Sequence, residues 1–308
     1  MPGRLTSINS SPIKGEKKTP ISEAVLVAGY GMTGDAHAGG ERQISLLAQE
    51  SIDRGLAAGI ELKAGDFGEN ITTTGIDLLS LPIGSRLLLA GEVIVQVSHV
   101  GKTCNTPCSI GQRLGSCIMP TDGIFAKVVR GGRVAAGDTI EPTSIKTAAV
   151  LTASDRCSRG DAEDGSGPMI VELLDELGIA LADSAILPDE EAELAARMKH
   201  WADLCAVDLI LTTGGTGFAP RDRTPEATLA VLDSPASGIA EAIRSEGLRH
   251  TPNACLSRAV SGLRGRTLII NLPGSARAVA QARDLLRTIL PHALELIRSE
   301  VTDCGSRP

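Results

Sequence analysis

Residues 207 to 228 read VDLILTTGGTGFAPRDRTPEAT. The opening run, Val207 to Leu211, is apolar, branched and short enough to be a buried parallel strand. Gly214, Gly215 and Gly217 then leave a turn with almost no side-chain bulk, where backbone N–H groups can approach an anion closely. Thr224, Pro225 and Glu226 read as an N-cap, a first-turn proline and an acidic first turn. A strand, a bare turn, a carboxylate and a capped helix make a phosphate site in an α/β fold. The stretch is not a P-loop, because no Gly-Lys-Ser/Thr follows, and it is not the GxGxxG dinucleotide fingerprint. Glycine turns between strand and helix also serve geometry alone; Arg221 and Asp222 beside this one favour a ligand.

Outward from this turn, strand-like and helix-like segments alternate. Thr147 to Ala153 is an apolar strand, and Gly167 to Leu177 has helical spacing with Gly178 as its stop. Ser184 to Leu187 reads as a short strand, followed by a helix from Asp189 to about Leu204. Helices fall within 224 to 247, a strand spans Thr267 to Leu272, and a last helix runs from Ala276 to Arg298 with a kink expected at Pro291. This alternation predicts a mainly parallel sheet between helical layers, a three-layer α/β domain over 147–308. Ligands in such sheets sit beyond the carboxyl ends of the strands, so the turns at Asp155, Asp189, Gly214 and Pro273 are expected to share one edge.

Residues 1 to 142 are instead mostly β. Leu87 to Ala90, Val93 to Val97 and Ile124 to Val129 are short strands, with Ala90-Gly91 as a hairpin turn and one helix over Ser45 to Ala57. Short strands and a single helix suggest a compact barrel. The polar run Glu141 to Lys146, EPTSIK, is read as the linker.

The chain has 308 residues, 42% hydrophobic and 22% charged, a length comfortable for two domains. Aromatics are only 2%, so the cores must be packed from aliphatic side chains. No apolar run approaches the ~20 residues of a membrane span. MPGRLTSINSSPIKGEKK has no apolar stretch, so no secretory leader is expected there. Seven irregularly spaced cysteines do not resemble a disulfide framework, and a reducing cytoplasm is the expected compartment. Residues 1 to 142 carry 13 Lys/Arg and 14 Asp/Glu, whereas 143 to 308 carry 17 and 23. Such an acidic second half argues against nucleic acid as a partner. A nucleoside triphosphate bound there would need a divalent cation.

The second half carries further motifs in order: LTASDRCSRG at 151 to 160, DGSG at 164 to 167, LPDEE at 187 to 191, the glycine block, LSRAVSG at 256 to 262 and NLPGSARAV at 271 to 279. This series resembles the molybdopterin-binding family of molybdenum-cofactor biosynthesis, most closely its molybdopterin adenylyltransferase branch. The resemblance implies adenylylation of molybdopterin with Mg²⁺ and ATP, and it implies Asp189 and Asp222 as the catalytic, metal-holding carboxylates. Taken on the residues alone, an aspartate in this setting reads first as an N-cap, and it is the resemblance that favours function. Asp155, Ser166, Gly167, Gly214, Gly215, Thr216, Gly217 and Arg221 are further substrate or nucleotide candidates, with a possible second anion cradle at Ser166 and Gly167. Ser257, Arg258, Pro273, Gly274 and Ser275 fall in the motifs that the resemblance assigns to the pterin side. Asp164 is read more weakly, as a helix cap. His200, Trp201, Cys205 and Cys255 are read as packing residues, and His250 as a loop residue.

In the first half, GKTCNTPCSIGQRLGSCIMPTDGIFAKVVRGGRVAAGD at 101 to 138 resembles the MOSC domains, supported by SPIKG at 11 to 15, GMTGDAHAG at 31 to 39 and AGDFGENITT at 64 to 73. The resemblance implies a cysteine that carries sulfur or binds the molybdenum centre. Cys104, Cys108 and Cys117 are the candidates; their C-x3-C-x8-C spacing is not that of a zinc site. Lys102 favours Cys104 as a thiolate, while burial of three small core cysteines is the competing reading. Asn105 stands where a histidine is expected, and His37 and His99 are possible partners.

The expected protein is a molybdenum-cofactor biosynthesis enzyme, with a non-catalytic molybdopterin carrier or a sulfur carrier as the alternatives. Expected partners are molybdopterin and ATP, a molybdenum-insertion protein and a cysteine desulfurase, with no membrane. Pyridoxal phosphate is not expected, and the resemblance suggests a homotrimer.

Overall fold

A computed structural model describes residues 2–56, 62–101 and 117–299. The chain divides into two compact units, Met1–Ser144 and Ile145–Pro308.

The first unit contains β1 (Gly3–Ser10), β2 (Thr19–Ile21), β3 (Glu23–Val27), β4 (Gly31–Met32), β5 (Ile44–Ala48), β6 (Ile71–Thr74), β7 (Arg86–Leu89), β8 (Val93–Val100), β9 (Ile124–Arg130), β10 (Gly132–Ala135) and β11 (Thr139–Thr143). Seven of them close a barrel in the order β11-β7-β8-β9-β5-β6-β1, with β1 pairing back to β11 and β2 added outside β1. Closure leaves no free edge among those seven. Leu5, Leu46, Leu87, Val95, Val97 and Ile140 are all buried in the barrel's aliphatic core. Ala90 and Gly91 both take positive φ in the hairpin between β7 and β8, where Glu92 N–H donates to Leu89 O at 3.1 Å.

Two sequence readings fail in this unit. The helix expected from Ser45 begins at Gln49, because Ile44–Ala48 pairs with both β6 and β9 and is buried as a strand. Tertiary pairing overrides the local helical spacing; the expected end at Ala57 lies outside the described residues. The EPTSIK linker is also shorter than read. Glu141, Pro142 and Thr143 pair with β7, and β1 covers only Thr139 and Ile140. Pro142, which has no N–H to give, therefore sits where β11 is paired on one side alone.

The second unit is built on β12 (Thr147–Ala153), β13 (Ala180–Leu187), β14 (Leu209–Thr213), β15 (Ser234–Pro235), β16 (Ser261–Arg264) and β17 (Thr267–Leu272), in the order β13-β12-β14-β17-β16-β15. The first four in that order are parallel; β16 and β15 continue antiparallel. β12, β14 and β17 are buried along their whole length, as near-continuous apolar runs in a covered parallel sheet should be. Val150, Leu211 and Ile270 pack against the helices Gly167–Glu176 and Ala276–Ile297 through Leu173, Leu174, Leu286 and Leu290. On the other face, Asn271 donates to Thr212 Oγ1 and to Thr228 Oγ1 at 2.9 and 2.8 Å, tying β14 and β17 to the helix Thr224–Leu229. The last helix runs on as one element past Pro291. The β15–β16 edge has no counterpart in the sequence reading: Ser261-Gly262-Leu263-Arg264 is too short and too polar to announce itself.

Candidate active site

Register brings four loop starts level. Ala153 pairs with Leu187, Thr152 with Thr213, and Thr213 with Leu272. The turns beginning at Ser154, Pro188, Gly214 and Pro273 therefore leave one carboxyl edge together. The chain passes from β12 outward to β13, then crosses back to β14 on the other side of β12. The crevice between β12 and β14 is thus a topological switch point, the usual ligand position in such sheets.

Close approach dictates the glycines here. Gly214 has φ 90°, and a Cβ on it would collide with Ala153 O. Gly215 has φ 61°, and its Cβ would strike Thr224 Oγ1 and lie 2.8 Å from Asp189 Oδ1. Both positions combine a left-handed backbone with no room for a side chain.

Asp155 and Asp189 clamp the two loops to each other. Asp155 N–H donates to Asp189 Oδ2 at 3.0 Å, and Asp189 N–H donates to Asp155 Oδ1 at 3.2 Å. Arg221 grips Asp155 through two hydrogen bonds, at 3.0 and 2.9 Å, and Glu190 through a third at 2.7 Å. That pairing lowers the Asp155 carboxyl below the usual range. Asp189 moves the other way: burial, reinforced by the charges of Asp155 and Asp222, raises it. Its Oδ1 is buried without a hydrogen-bond partner. Asp189 does not cap the following helix, which spans Glu191–Lys199 and has Glu190 at its N-cap position.

Asp222 closes its own turn by accepting Ala219 N–H at 2.8 Å, with Oδ2 over Gly217. Arg258 fastens this loop. Its Nε donates to Gly217 O at 2.7 Å, its Nη2 donates to Asp222 O at 2.5 Å, and its Nη1 pairs with Glu226. Arg258 therefore positions the loop. Thr224 is not the cap that its sequence suggests: the helix begins at Thr224 itself, Arg223 holds the N-cap position, and the Thr224 hydroxyl is buried and unpartnered.

A cavity of ≈ 400 Å³ opens beside this loop. Of the sequence candidates, Gly215, Thr216, Gly217 and Asp222 line one side, and Ser257, Pro273, Gly274 and Ser275 the other. Ser275 also caps the last helix, accepting Ala278 N–H at 3.2 Å. Ser166 and Gly167 are not brought to it. Their N–H groups both donate to Asp164 Oδ1, at 3.0 and 2.9 Å, so the second anion cradle is filled by the chain's own carboxylate. Gly167 borders a different cavity, with Thr152, Asp164 and Ile186.

Sequence reasoning missed Arg244, Asn253 and Gln281, which also line the cavity. Arg244 Nη1 donates to Ala259 O at 2.6 Å, so a helix residue reaches the pocket through a fold contact that no local motif marks. Among the described residues, no group of three or more His, Cys, Asp or Glu is set to hold a metal. Two carboxylates with substrate phosphates suffice for Mg²⁺, and the unpartnered Asp189 Oδ1 fits that role.

In the barrel, Cys104 and Cys108 lie outside the described residues. Cys117 is half-buried and packs against the cluster of Leu47, Ile52, Phe67, Met119 and Phe125. His37 Nδ1 lies 3.3 Å from Asp35, whose buried carboxylate also pairs with Lys18 at 2.6 Å, and His99 Nδ1 lies 3.0 Å from Ser98 Oγ. Trp201 is buried and donates to Asp183 at 2.8 Å, and Cys205 is buried, whereas Cys255 is exposed.

Comparison with known proteins divides the chain in the same way. Residues 33–141 match the family described as MOSC domain, and residues 149–292 the family described as Probable molybdopterin binding domain. The molybdenum cofactor synthesis protein cinnamon of Drosophila melanogaster is 41% identical over 157 residues, 51% of this chain and 26% of that protein. A molybdopterin adenylyltransferase of Helicobacter pylori strain J99 is 39% identical over 150 residues, 48% of this chain and 85% of that protein. The crystal structure of the molybdopterin biosynthesis enzyme MoaB from Thermus thermophilus is 45% identical, covering 50% of this chain and 98% of that one with a TM-score of 0.48. The chain thus spans about a quarter of the Drosophila relative's length.

Proposed function

The chain belongs to the molybdopterin-binding family of molybdenum-cofactor biosynthesis, with a MOSC domain preceding the molybdopterin-binding one, and on that premise we propose that its second unit is a molybdopterin adenylyltransferase. An anionic oxygen of the pterin's terminal phosphate would attack the α-phosphorus of ATP. The new P–O bond forms as the bond to pyrophosphate breaks, and pyrophosphate leaves with the electron pair. The nucleophile is already charged, so no general base is needed; positioning and charge neutralisation carry the rate.

The observation that carries the reading is the buried, unpartnered Asp189 Oδ1, crowded by the charges of Asp155 and Asp222 at the glycine turn. Asp189 and Asp222 would hold Mg²⁺, which when bound would neutralise the phosphates. Asp155 and Arg221 fix Asp189 in place, Arg258 fixes the Asp222 loop, and the cavity lined by Ser257, Gly274 and Ser275 would receive the pterin. The barrel would bind the pterin or the molybdenum cofactor, or carry sulfur on Cys104, Cys108 or Cys117 supplied by a cysteine desulfurase. Tethering the two activities raises the effective concentration of a labile intermediate. A molybdenum-insertion protein would take the product, the assembly would be a homotrimer, and the compartment would be the cytoplasm. Among the described residues, no helix is long and apolar enough to cross a membrane.

The test is pyrophosphate release from Mg-ATP on addition of molybdopterin. Release that disappears in Asp222→Asn supports the transferase; tight pterin binding with no release leaves a carrier instead.

A further inference from the structure

Among the described residues, Arg244, on the helix Ser237–Leu248, is the one basic side chain lining the cavity beside the glycine turn. The arginines of the neighbouring loops are all ion-paired: Arg221 with Asp155 and Glu190, Arg223 with Glu191, and Arg258 with Glu226. Arg244 has no carboxylate partner among the described residues. Its Nη1 alone is engaged, donating to Ala259 O at 2.6 Å and to Ser257 O at 3.4 Å, which fixes the guanidinium and leaves its Nε–Nη2 edge unused. That edge is a two-donor fork, the same one with which Arg221 grips both oxygens of Asp155. The cavity also has an apolar wall, from Ile243, Ala278 and Ala282, while the amides of Asn253 and Gln281 add uncharged donors and acceptors.

We propose that Arg244 is the specificity residue of this cavity: its free edge reads the 4-oxo group and N5 of a pterin, and so admits a 4-oxopteridine and rejects adenine. The two acceptors lie side by side on the pterin as O6 and N7 do on guanine, where a bidentate arginine is the commonest specific contact. Adenine carries an amino group in place of that oxygen. The guanidinium would then face a donor, and a site built to hydrogen-bond one group rejects the ligand that lacks it. Phosphate belongs at the glycine turn, at Gly215 and Gly217, whereas the apolar part of the lining suits the face of a ring. ATP is thus held by its phosphates, and the two heterocycles cannot exchange places. The inference rests on the molybdopterin reading of the cavity and names the group that enforces it.

The experiment titrates the full chain, at pH 7.5 without metal or ATP, with 6-hydroxymethylpterin and with 2,4-diamino-6-hydroxymethylpteridine, which carries amino for oxo at the 4-position. Wild type should bind the oxo compound about 10-fold or more tightly than the diamino one. Arg244→Met should bring the two affinities level. A merely structural role would weaken both ligands together and leave their ratio unchanged, and that result overturns the inference. Arg244→Lys, which keeps the charge but not the fork, should lose the preference as well. Equal binding of the two compounds by wild type, or binding of neither, overturns the inference whether or not the variants fold. The two readings fail separately. An Arg244-dependent preference in a chain that releases no pyrophosphate keeps the specificity residue and removes the reaction. Pyrophosphate release with no such preference does the reverse.

Discussion

Replacing Asp189 by Asn should make the metal-free protein more stable while stopping its chemistry. Asn retains an oxygen to accept the Asp155 N–H, now bonded at 3.0 Å. It replaces the unpartnered Oδ1 with an amide beside the Thr224 hydroxyl, and it removes one of the carboxylates crowded at the turn. An unsatisfied buried acceptor costs about 1–3 kcal/mol, and partial exposure of the side chain puts Asp189 near the lower end, about 1 kcal/mol. For a unit of this size that is a rise in Tm of roughly 2–4 °C. The sign with pH follows from linkage. The native carboxyl titrates above its ordinary value, so between the two values the native state binds more protons than the unfolded chain. Wild-type stability therefore falls as pH rises through that window, and the Asn variant escapes the fall. Its advantage should be absent below about pH 4, the unfolded carboxylate value, and grow as pH rises through the raised native value. Turnover should drop ~100-fold or more. Calorimetry of both proteins at pH 4 and pH 7.5 without metal, with pyrophosphate release at pH 7.5, tests all three points. An Asn variant that is less stable than wild type at pH 7.5, or that turns over normally, would refute the assignment.

Gly215→Ala should destabilise the second unit by about 2–4 kcal/mol, summing a left-handed alanine and a methyl forced against Thr224 and Asp189; urea denaturation reads it. Arg258→Met should release the loop that carries Asp222 and lower kcat by roughly 100-fold with a smaller change in KM, as expected for misplacement rather than lost binding. In the first unit, Lys18→Met removes the buried Asp35 carboxylate's lysine partner and leaves it with His37 and backbone N–H groups, which should cost about 3 kcal/mol of that unit's stability, by calorimetry, while leaving pyrophosphate release unchanged.

What the sequence revealed, and what it hid, follows from how local each signal is. The strand ahead of Gly214 and the turns at Asp155, Asp189 and Pro273 were legible because apolar runs and glycine turns are short-range signals. Strand β5 was hidden, since Ile44–Ala48 continues into helix and only its pairing with β6 and β9 makes it a strand. The Ser166–Gly167 amides are taken by Asp164, two and three positions earlier, so the helix-cap reading of that residue wins over the anion cradle. Thr224 was legible as a residue near a helix start but not as an unpartnered oxygen. That property exists only once Gly215 brings it opposite Asp189, 35 positions earlier in the chain.

The central claim meets its most direct test in the mass of the pterin after a single turnover. Molybdopterin incubated with the full chain, Mg²⁺ and ATP should gain one AMP moiety, at one pyrophosphate released per pterin modified, and Asp222→Asn should leave it unchanged. Molybdopterin recovered at its original mass from a wild-type chain that binds it tightly would contradict the account.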